Sequence, residues 1–490
     1  VPFDAKRQWR DPHAYLVAFG VILGLAAYRL WLITFNALEF DVEETYYLYW
    51  STTPDWGYFS KPPMIAWLMA VATELFGRSE LAVKSISWLL HLLTALLVYS
   101  IGKRLYGTRQ GLAAGVVFAT LPVVGALSLF STTDAPLHFF WALTLRLFIK
   151  ARDSGRLGWW LLTGLAGGLG LLSKYTMGLI AIGLALALLF SGPDRRWLRS
   201  RTLWLGVLVA ALVWAPNLWW NAAHDFISFR HTAHISQLHA ELFHPEKLAE
   251  FVGAQLLVFG PVFFVALLLG LFRRQVWSDA RHRLLLLTSL PILLLISAQA
   301  LLAEANMNWA SPAYVGLSAF VAGWLWQRRR WLYAGVIVNV LLLGIAYHYH
   351  ALADAVGVEM FGSRTPYKHR LGWRELGEGV REWTSAHPDA PLLGSNRGLM
   401  SFMSCYGVDG ERAVVSWNPS GRIRSQFDLA SDIAARPSGH FLFLSARELP
   451  SEVIGRFADA RYLGYRRVVV FPDLVREVHG YLVKDFQGYE

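Results

Sequence analysis

Eleven apolar runs, at about residues 14–35, 82–102, 111–130, 135–150, 157–172, 175–191, 203–221, 251–272, 284–302, 309–326 and 331–349, dominate the first part of the chain. A bilayer core of roughly 30 Å calls for about 20 apolar residues per helix. No water reaches the backbone there, so each crossing segment must satisfy its own N–H and C=O groups, which helices do. A soluble fold is excluded on the same ground: of 490 residues 55% are hydrophobic and only 16% charged. The runs predict a polytopic α-helical membrane protein with about eleven transmembrane helices.

The net charge of +10 invites a nucleic-acid partner, and its distribution rejects one. Alternate loops carry Lys6, Arg7, Arg10; Lys103, Arg104, Arg109; Lys150, Arg152, Arg156; Arg195, Arg196, Arg199, Arg201; Arg273, Arg274, Arg281, Arg283; and Arg328, Arg329, Arg330. The opposite short loops hold only Lys61, Arg78, Lys174, Arg230 and Lys247. Basic residues mark cytoplasmic loops, so the N-terminus is expected inside the cell and residues 351–490 outside. The first run lacks a small-residue cleavage site and reads as a signal anchor. The lone Cys405 falls outside, cannot form an intramolecular disulfide, and is expected to be buried.

Polar chemistry concentrates on the external side. The loop 36–80 holds Asp41, Glu43, Glu44, Tyr46, Tyr47, Tyr49 and Trp50, then Asp55, Trp56, Tyr58, Ser60, Lys61, Pro62 and Pro63. Two short helices lying on the membrane are expected there, about 43–51 and about 62–76. The second would begin at the proline pair and stop at Gly77. Lys61 then stands at the positive end of a helix dipole, a place for an anion, although a snorkelling lysine would look the same. The acids and aromatics fit either a reaction centre at the membrane boundary or a plain interfacial anchor.

Further external loops add Asp134, where either Thr133 or Asp134 is an ordinary helix N-cap before Pro136 or Asp134 is another site carboxylate, and Lys174 beside Tyr175. Gly164, Gly167, Gly168 and Gly170 lie within an apolar run and read as close helix packing. The loop 222–250 carries His224, Asp225, His231, His234, His239 and His244. His231-x-x-His234 is the one spacing there that suits a divalent metal, but no cysteine or His-Glu-x-x-His pattern supports one, and no metal ligand is assigned. Past residue 350, Leu371–Trp383 reads as an amphipathic helix, while 413–417, 440–444 and 467–471 read as strands. Residues 351–490 are thus expected to form a periplasmic α/β domain beside a transmembrane catalytic domain, 1–350.

Carboxylates and lysines on one external face suit transfer of a group from a lipid phosphate. Lys61 and Lys174 would hold the phosphate as it leaves. A carboxylate, Asp41, Glu43 or Asp134, would activate the acceptor hydroxyl. Neither a Walker sequence nor a dinucleotide glycine fingerprint is present to support a nucleotide-linked donor. A transporter or flippase of a lipid-linked saccharide is the competing class, for which Arg146 and His91 are the ionisable candidates inside spans. A non-catalytic envelope scaffold is a third.

The stretch Glu43-Glu44-Thr45-Tyr46-Tyr47-Leu48-Tyr49-Trp50-Ser51, with Asp55 to Trp67, resembles the first-loop signature of bacterial GT-C glycosyltransferases, relatives of the protein O-mannosyltransferases and lipid A aminoarabinose transferases. Ser131–Pro136, Leu172–Thr176, Asn217–Asn221 and Asn308–Tyr314 resemble further signatures in order, so the likeness covers about residues 14–350. It implies a polyprenyl-phosphate sugar donor, inversion at the sugar carbon, a lipid or glycan acceptor such as lipid A or lipopolysaccharide, and a place in the bacterial inner membrane. It also implies that Lys61 contacts the donor phosphate, that the first-loop acid pair falls on Glu43 and Glu44 with Asp41 two residues earlier, and that Glu44, Tyr46, Tyr47, Tyr58, Tyr175, Asn221 and Asn308 contact substrate. Ser60 stands where some aminoarabinose transferases carry a glutamate near a metal. The wording around Asp41 and Lys61 is similar to that of rhizobial-type transferases that add galacturonic acid to lipopolysaccharide.

Overall fold

The apolar runs are helices, as the hydrocarbon constraint demands. The structure, a computed structural model, describes residues 12–35, 38–236, 243–362, 365–436, 438–448 and 450–489. Packing groups the chain into two units. One comprises Val1–Phe35, Lys61–Ile65 and Lys84–His348; the other comprises Asn36–Ser60, Ala66–Val83 and Tyr349–Glu490.

Among the described residues, Tyr15–Phe35, Glu80–Tyr106, Arg201–Ala223, Ala280–Leu302 and Ala313–Tyr347 are long and apolar enough to cross a membrane. The expected run 251–272 is not one straight helix. It splits into Pro245–Val258 and Pro261–Leu271, bent by 117°. Pro261 cannot donate a helical hydrogen bond, and Gly260 adopts φ +92°, a conformation that side chains disfavour. A Cβ at Gly260 would also strike the Asn339 side chain. Phe259 stacks on Tyr314 with centroids 4.4 Å apart, and the Tyr314 hydroxyl donates to Gln255 Oε1 at 2.6 Å, so the elbow is packed and bonded on its inner side. Similarly, 111–130 breaks at Leu121-Pro122 into Thr108–Thr120 and Pro122–Leu127.

The glycines do pack helices closely. A Cβ at Gly164 would collide with the Gly206 carbonyl, and one at Gly168 would lie 2.7 Å from Val213 Cβ. Leu157–Leu171 and Arg201–Ala223 therefore approach backbone to backbone. Gly167 differs: nothing lies within 4 Å of its missing Cβ.

In the second unit the two short helices of the first loop are Val42–Trp50 and Met64–Phe76. The latter starts after the prolines, so Pro62 and Pro63 lead into the helix rather than occupy its first turn. The C-terminal residues build a five-stranded sheet: β1 (Leu392–Gly394), β2 (Val414–Ser416), β3 (His440–Ser445), β4 (Phe457–Phe471) and β5 (Leu474–Phe486), in the order β2-β1-β3-β5-β4. β1 runs parallel to β2 and β3, while β5 pairs antiparallel with β3 and β4. Leu393, Val415, Phe441, Phe443, Tyr481 and Val483 fill its core. The amphipathic helix runs Trp373–Ala386. Only the end of β4 was expected as strand. Its earlier part carries Arg461 and Arg466 around a register shift between Tyr462 and Gly464, which blurs the period-two alternation.

Burial pushes the Cys405 thiol up to about 12, so the native cysteine is a poor nucleophile at neutral pH. Glu378 is exposed on helix Trp373–Ala386, whereas Gly372 sits at φ +82° and suits no side chain. A Glu378→Cys protein in intact cells should therefore take up an impermeant thiol reagent from the periplasmic side, and the parent should not. Labelling of Glu378→Cys only after inner-membrane rupture would reverse the expected topology.

Candidate functional site

The first unit gathers a polar cluster at helix ends. Asp134, 4% exposed, opens helix Asp134–Ser154 ahead of its apolar run. Its Oδ1 accepts from Lys174 Nζ at 2.7 Å and its Oδ2 from Asn308 Nδ2 at 2.9 Å. Burial works to raise the Asp134 carboxyl. The Lys174 ammonium, followed by His138 and Lys61, outweighs it and holds the pKa below the usual value. Lys61 is joined to this region by the chain just after it, since Met64 N–H donates to the Leu172 carbonyl at 3.0 Å. Thus Asp134, Lys174, Asn308 and Lys61 act on one another electrically, and both oxygens of the carboxylate are committed. Asp134 has no side-chain cap role: Thr133 is the N-cap residue and makes no side-chain cap bond.

Beside Lys174, the Tyr175 hydroxyl donates to Asn217 Oδ1 at 3.2 Å and accepts from Asn221 Nδ2 at 3.2 Å, and its ring stacks on Phe229. Asn217 and Asn221 are fully buried near the end of helix Arg201–Ala223. The ionisable groups that transport would need are tied off: Arg146 Nε donates to Ser100 Oγ at 2.7 Å, and His91 lies within a buried hydrogen-bond chain.

The second unit sorts the first-loop acids by role. Asp41 is the N-cap of helix Val42–Trp50, its Oδ1 accepting from Glu43 N–H at 3.0 Å while Glu44 reaches back to Asp41 N–H at 2.9 Å. This is a capping box, with Asp in the Ser/Thr place, and two otherwise orphaned donors are satisfied. The remaining Asp41 oxygen accepts from Arg370 Nε at 2.8 Å. Glu43, on the helix's first turn, contacts Arg397 through Oε1 at 3.1 Å, and its Oε2 has no partner among the described residues. Arg397 also lies 5.0 Å over the Tyr46 ring.

Tyr46, Tyr47 and Tyr58 are all buried. Tyr46 contacts the Gln426 N–H, Tyr47 packs on Trp50, and Tyr58 stacks on Trp50 at 4.6 Å while its hydroxyl donates to the Trp50 carbonyl at 3.1 Å. Their aromatic density builds the core under the helix. Sequence reasoning missed Arg370, Arg397 and Glu39. Glu39 accepts from Gly372, Trp373 and Arg374 N–H groups, a carboxylate seated on a helix N-terminus. No local pattern announces these partners.

Among the described residues, no group of three or more His, Cys, Asp or Glu is placed to hold a metal ion. His224 bonds to the Trp220 carbonyl and His244 to Glu246; His239 lies outside the described residues.

Residues 60–220 match the family described as dolichyl-phosphate-mannose-protein mannosyltransferase. The chain is 33% identical over 437 residues to the lipid A galacturonosyltransferase RgtD of Rhizobium johnstonii, covering 87% of this chain and 90% of that protein. It is 32% identical over 173 residues to an undecaprenyl phosphate-alpha-4-amino-4-deoxy-L-arabinose arabinosyl transferase of Pseudomonas paraeruginosa, 34% of this chain and 31% of the other. In fold it is similar to ArnT from Cupriavidus metallidurans bound to undecaprenyl phosphate, with a TM-score of 0.65 at 14% identity over 95% and 98% of the two chains.

The different roles of Asp41 and Glu43 separate in stability. Asp41→Ala removes a cap worth about 1 kcal/mol together with the ion pair to Arg370, so its melting temperature should fall. Glu43→Gln, which gives up only one partly exposed ion pair, should melt within error of the parent. Equal losses in detergent-solubilised protein would contradict the division of roles.

Proposed function

We propose, from the premise that the chain belongs to the family of the lipid A galacturonosyltransferase RgtD and shares the GT-C fold, that it moves a sugar from a polyprenyl phosphate to lipid A. It is a glycosyltransferase that uses a lipid-linked sugar donor. In the reading favoured here the sugar carbon inverts, the first 350 residues form about eleven spans in a bacterial inner membrane, and residues 351–490 lie with the reacting groups on the periplasmic side.

The observation that carries the assignment of roles is that Asp41 and Asp134 have both carboxylate oxygens committed, whereas Glu43 keeps Oε2 open. Glu43 is then the base. It takes the proton of an acceptor hydroxyl as that oxygen bonds to the anomeric carbon, and the bond from that carbon to the phosphate oxygen breaks. The electron pair leaves with the polyprenyl phosphate. Lys61 and Lys174 stabilise the charge that develops there, which a leaving phosphate needs more than a proton. Asp134 serves as the counter-ion that orients Lys174, and Asn308 holds Asp134 in turn. The carboxylate is buried and the lysine part-buried, with 2.7 Å between them, so each screens the other's charge from the low-dielectric surroundings. Tyr175 and Asn221 line the substrate beside Lys174.

Release of polyprenyl phosphate from a labelled polyprenyl-phosphate sugar, with lipid A as acceptor, tests the assignment. Glu43→Gln should lower turnover by about 10²–10⁴-fold, the range for a lost general base. Lys61→Ala should lose about 1.5–3 kcal/mol of transition-state stabilisation, with Lys61→Arg recovering only part because a planar fork replaces a compact charge. Folded Glu43→Gln protein that turns over like the parent would remove Glu43 as the base.

A further inference from the structure

Beneath Asn308, Asp134 and Lys174 lie two histidines that the chemistry above does not use. His91, on helix Glu80–Tyr106, is 2% exposed; His138, one turn beyond Asp134, is fully buried. His91 Nδ1 lies 2.8 Å from the Ser87 carbonyl oxygen and His91 Nε2 lies 3.1 Å from His138 Nδ1. His138 Nε2 in turn lies 2.8 Å from Ser311 Oγ.

The far end of this chain sets its direction. A carbonyl oxygen only accepts, so His91 Nδ1 carries the hydrogen, and in a neutral ring Nε2 must then accept. His138 Nδ1 therefore donates to it, His138 Nε2 accepts, and the Ser311 hydroxyl donates. A chain that ends on a helix carbonyl delivers a proton nowhere, so it is not a relay. It is a fixed strut. Its open end matters, because the Ser311 N–H donates to the Asn308 carbonyl at 3.0 Å, which makes Ser311 and Asn308 members of one turn. From that turn Asn308 Nδ2 reaches Asp134 Oδ2 at 2.9 Å.

We infer that Ser311, His138 and His91 are positioning residues: a directed strut that holds the Asn308 turn against Asp134 and so fixes Lys174 for the donor phosphate. This rests on the reading of Lys174 and Asp134 given above. Asp134 opens one helix and Lys174 lies in the turn that follows Leu157–Leu171, and the strut ties a third segment to them.

A double-mutant cycle on the full chain, with a polyprenyl-phosphate sugar as donor, tests it. Ser311→Ala should lower kcat by about tenfold with KM for the donor nearly unchanged, the effect of a misplaced rather than missing group. In an Asn308→Ala background the same substitution should cost less than about twofold, because it acts through Asn308. His138→Gln, whose amide oxygen accepts from Ser311, should keep more activity than His138→Phe, which cannot. Multiplying losses across the two backgrounds, or parental kcat in Ser311→Ala, would overturn the strut. If Ser311→Ala does not fold, the His138→Gln and His138→Phe pair decides: equal activity overturns the inference. Lys174→Ala, run alongside, keeps the two claims apart. Parental activity there defeats the donor-phosphate reading, whereas a large loss there with independent Ser311 and Asn308 effects defeats the strut alone.

Discussion

Hydrocarbon leaves no backbone polar group to fend for itself, and much of the molecule follows from that. Backbone groups at membrane depth close on themselves in helices, and where a helix breaks, neighbouring residues take up the slack. At the Gly260 elbow, Gln255 donates to the Phe251 and Met307 carbonyls while accepting from Tyr314, and Asn339 Nδ2 reaches the Phe259 carbonyl at 3.4 Å. Arg29, 4% exposed, is held by the Ala119 carbonyl and the Tyr347 hydroxyl rather than by a carboxylate. The same rule makes the His91–His138–Ser311 chain complete from end to end. Polar groups with reactive potential are left at helix ends, where Asp134 and Lys174 meet.

Pairing also decides which acids can react. A cation held against a carboxylate favours its charged form and makes it a weaker proton acceptor, as Lys174 does for Asp134. Asp41 spends one oxygen on its own helix and the other on Arg370; Asp134 spends its two on Lys174 and Asn308. Glu39 is wholly consumed by three backbone N–H groups, yet burial still pushes its carboxyl pKa up against their pull. Glu43 stands apart through one oxygen.

How much of this was legible in the sequence follows from how local each signal is. The helices Val42–Trp50 and Trp373–Ala386 could be read to within a few residues because cap, periodicity and stop lie within one stretch. The face-to-face glycines were legible for the same reason, except Gly167, whose side of the helix depends on its neighbours. The capping role of Asp41 could not be told from a reacting one, because sequence does not say where the helix begins. Arg370 and Arg397 were invisible: they stand 329 and 354 residues from the acids they meet. The bend at Gly260 was overlooked because hydropathy averages across a Gly-Pro step that geometry cannot ignore.

Donor binding separates the two roles at the heart of this mechanism more directly than turnover does. Equilibrium binding of polyprenyl phosphate, the leaving group itself, should be retained by Glu43→Gln at the parental affinity, because the proposed role of Glu43 is toward the acceptor. It should weaken by at least about tenfold in Lys61→Ala and in Lys174→Ala, each of which loses a charge-assisted contact. Parental affinity in both lysine variants, or a matching loss in Glu43→Gln, would contradict the division between a lysine-held phosphate and a glutamate base.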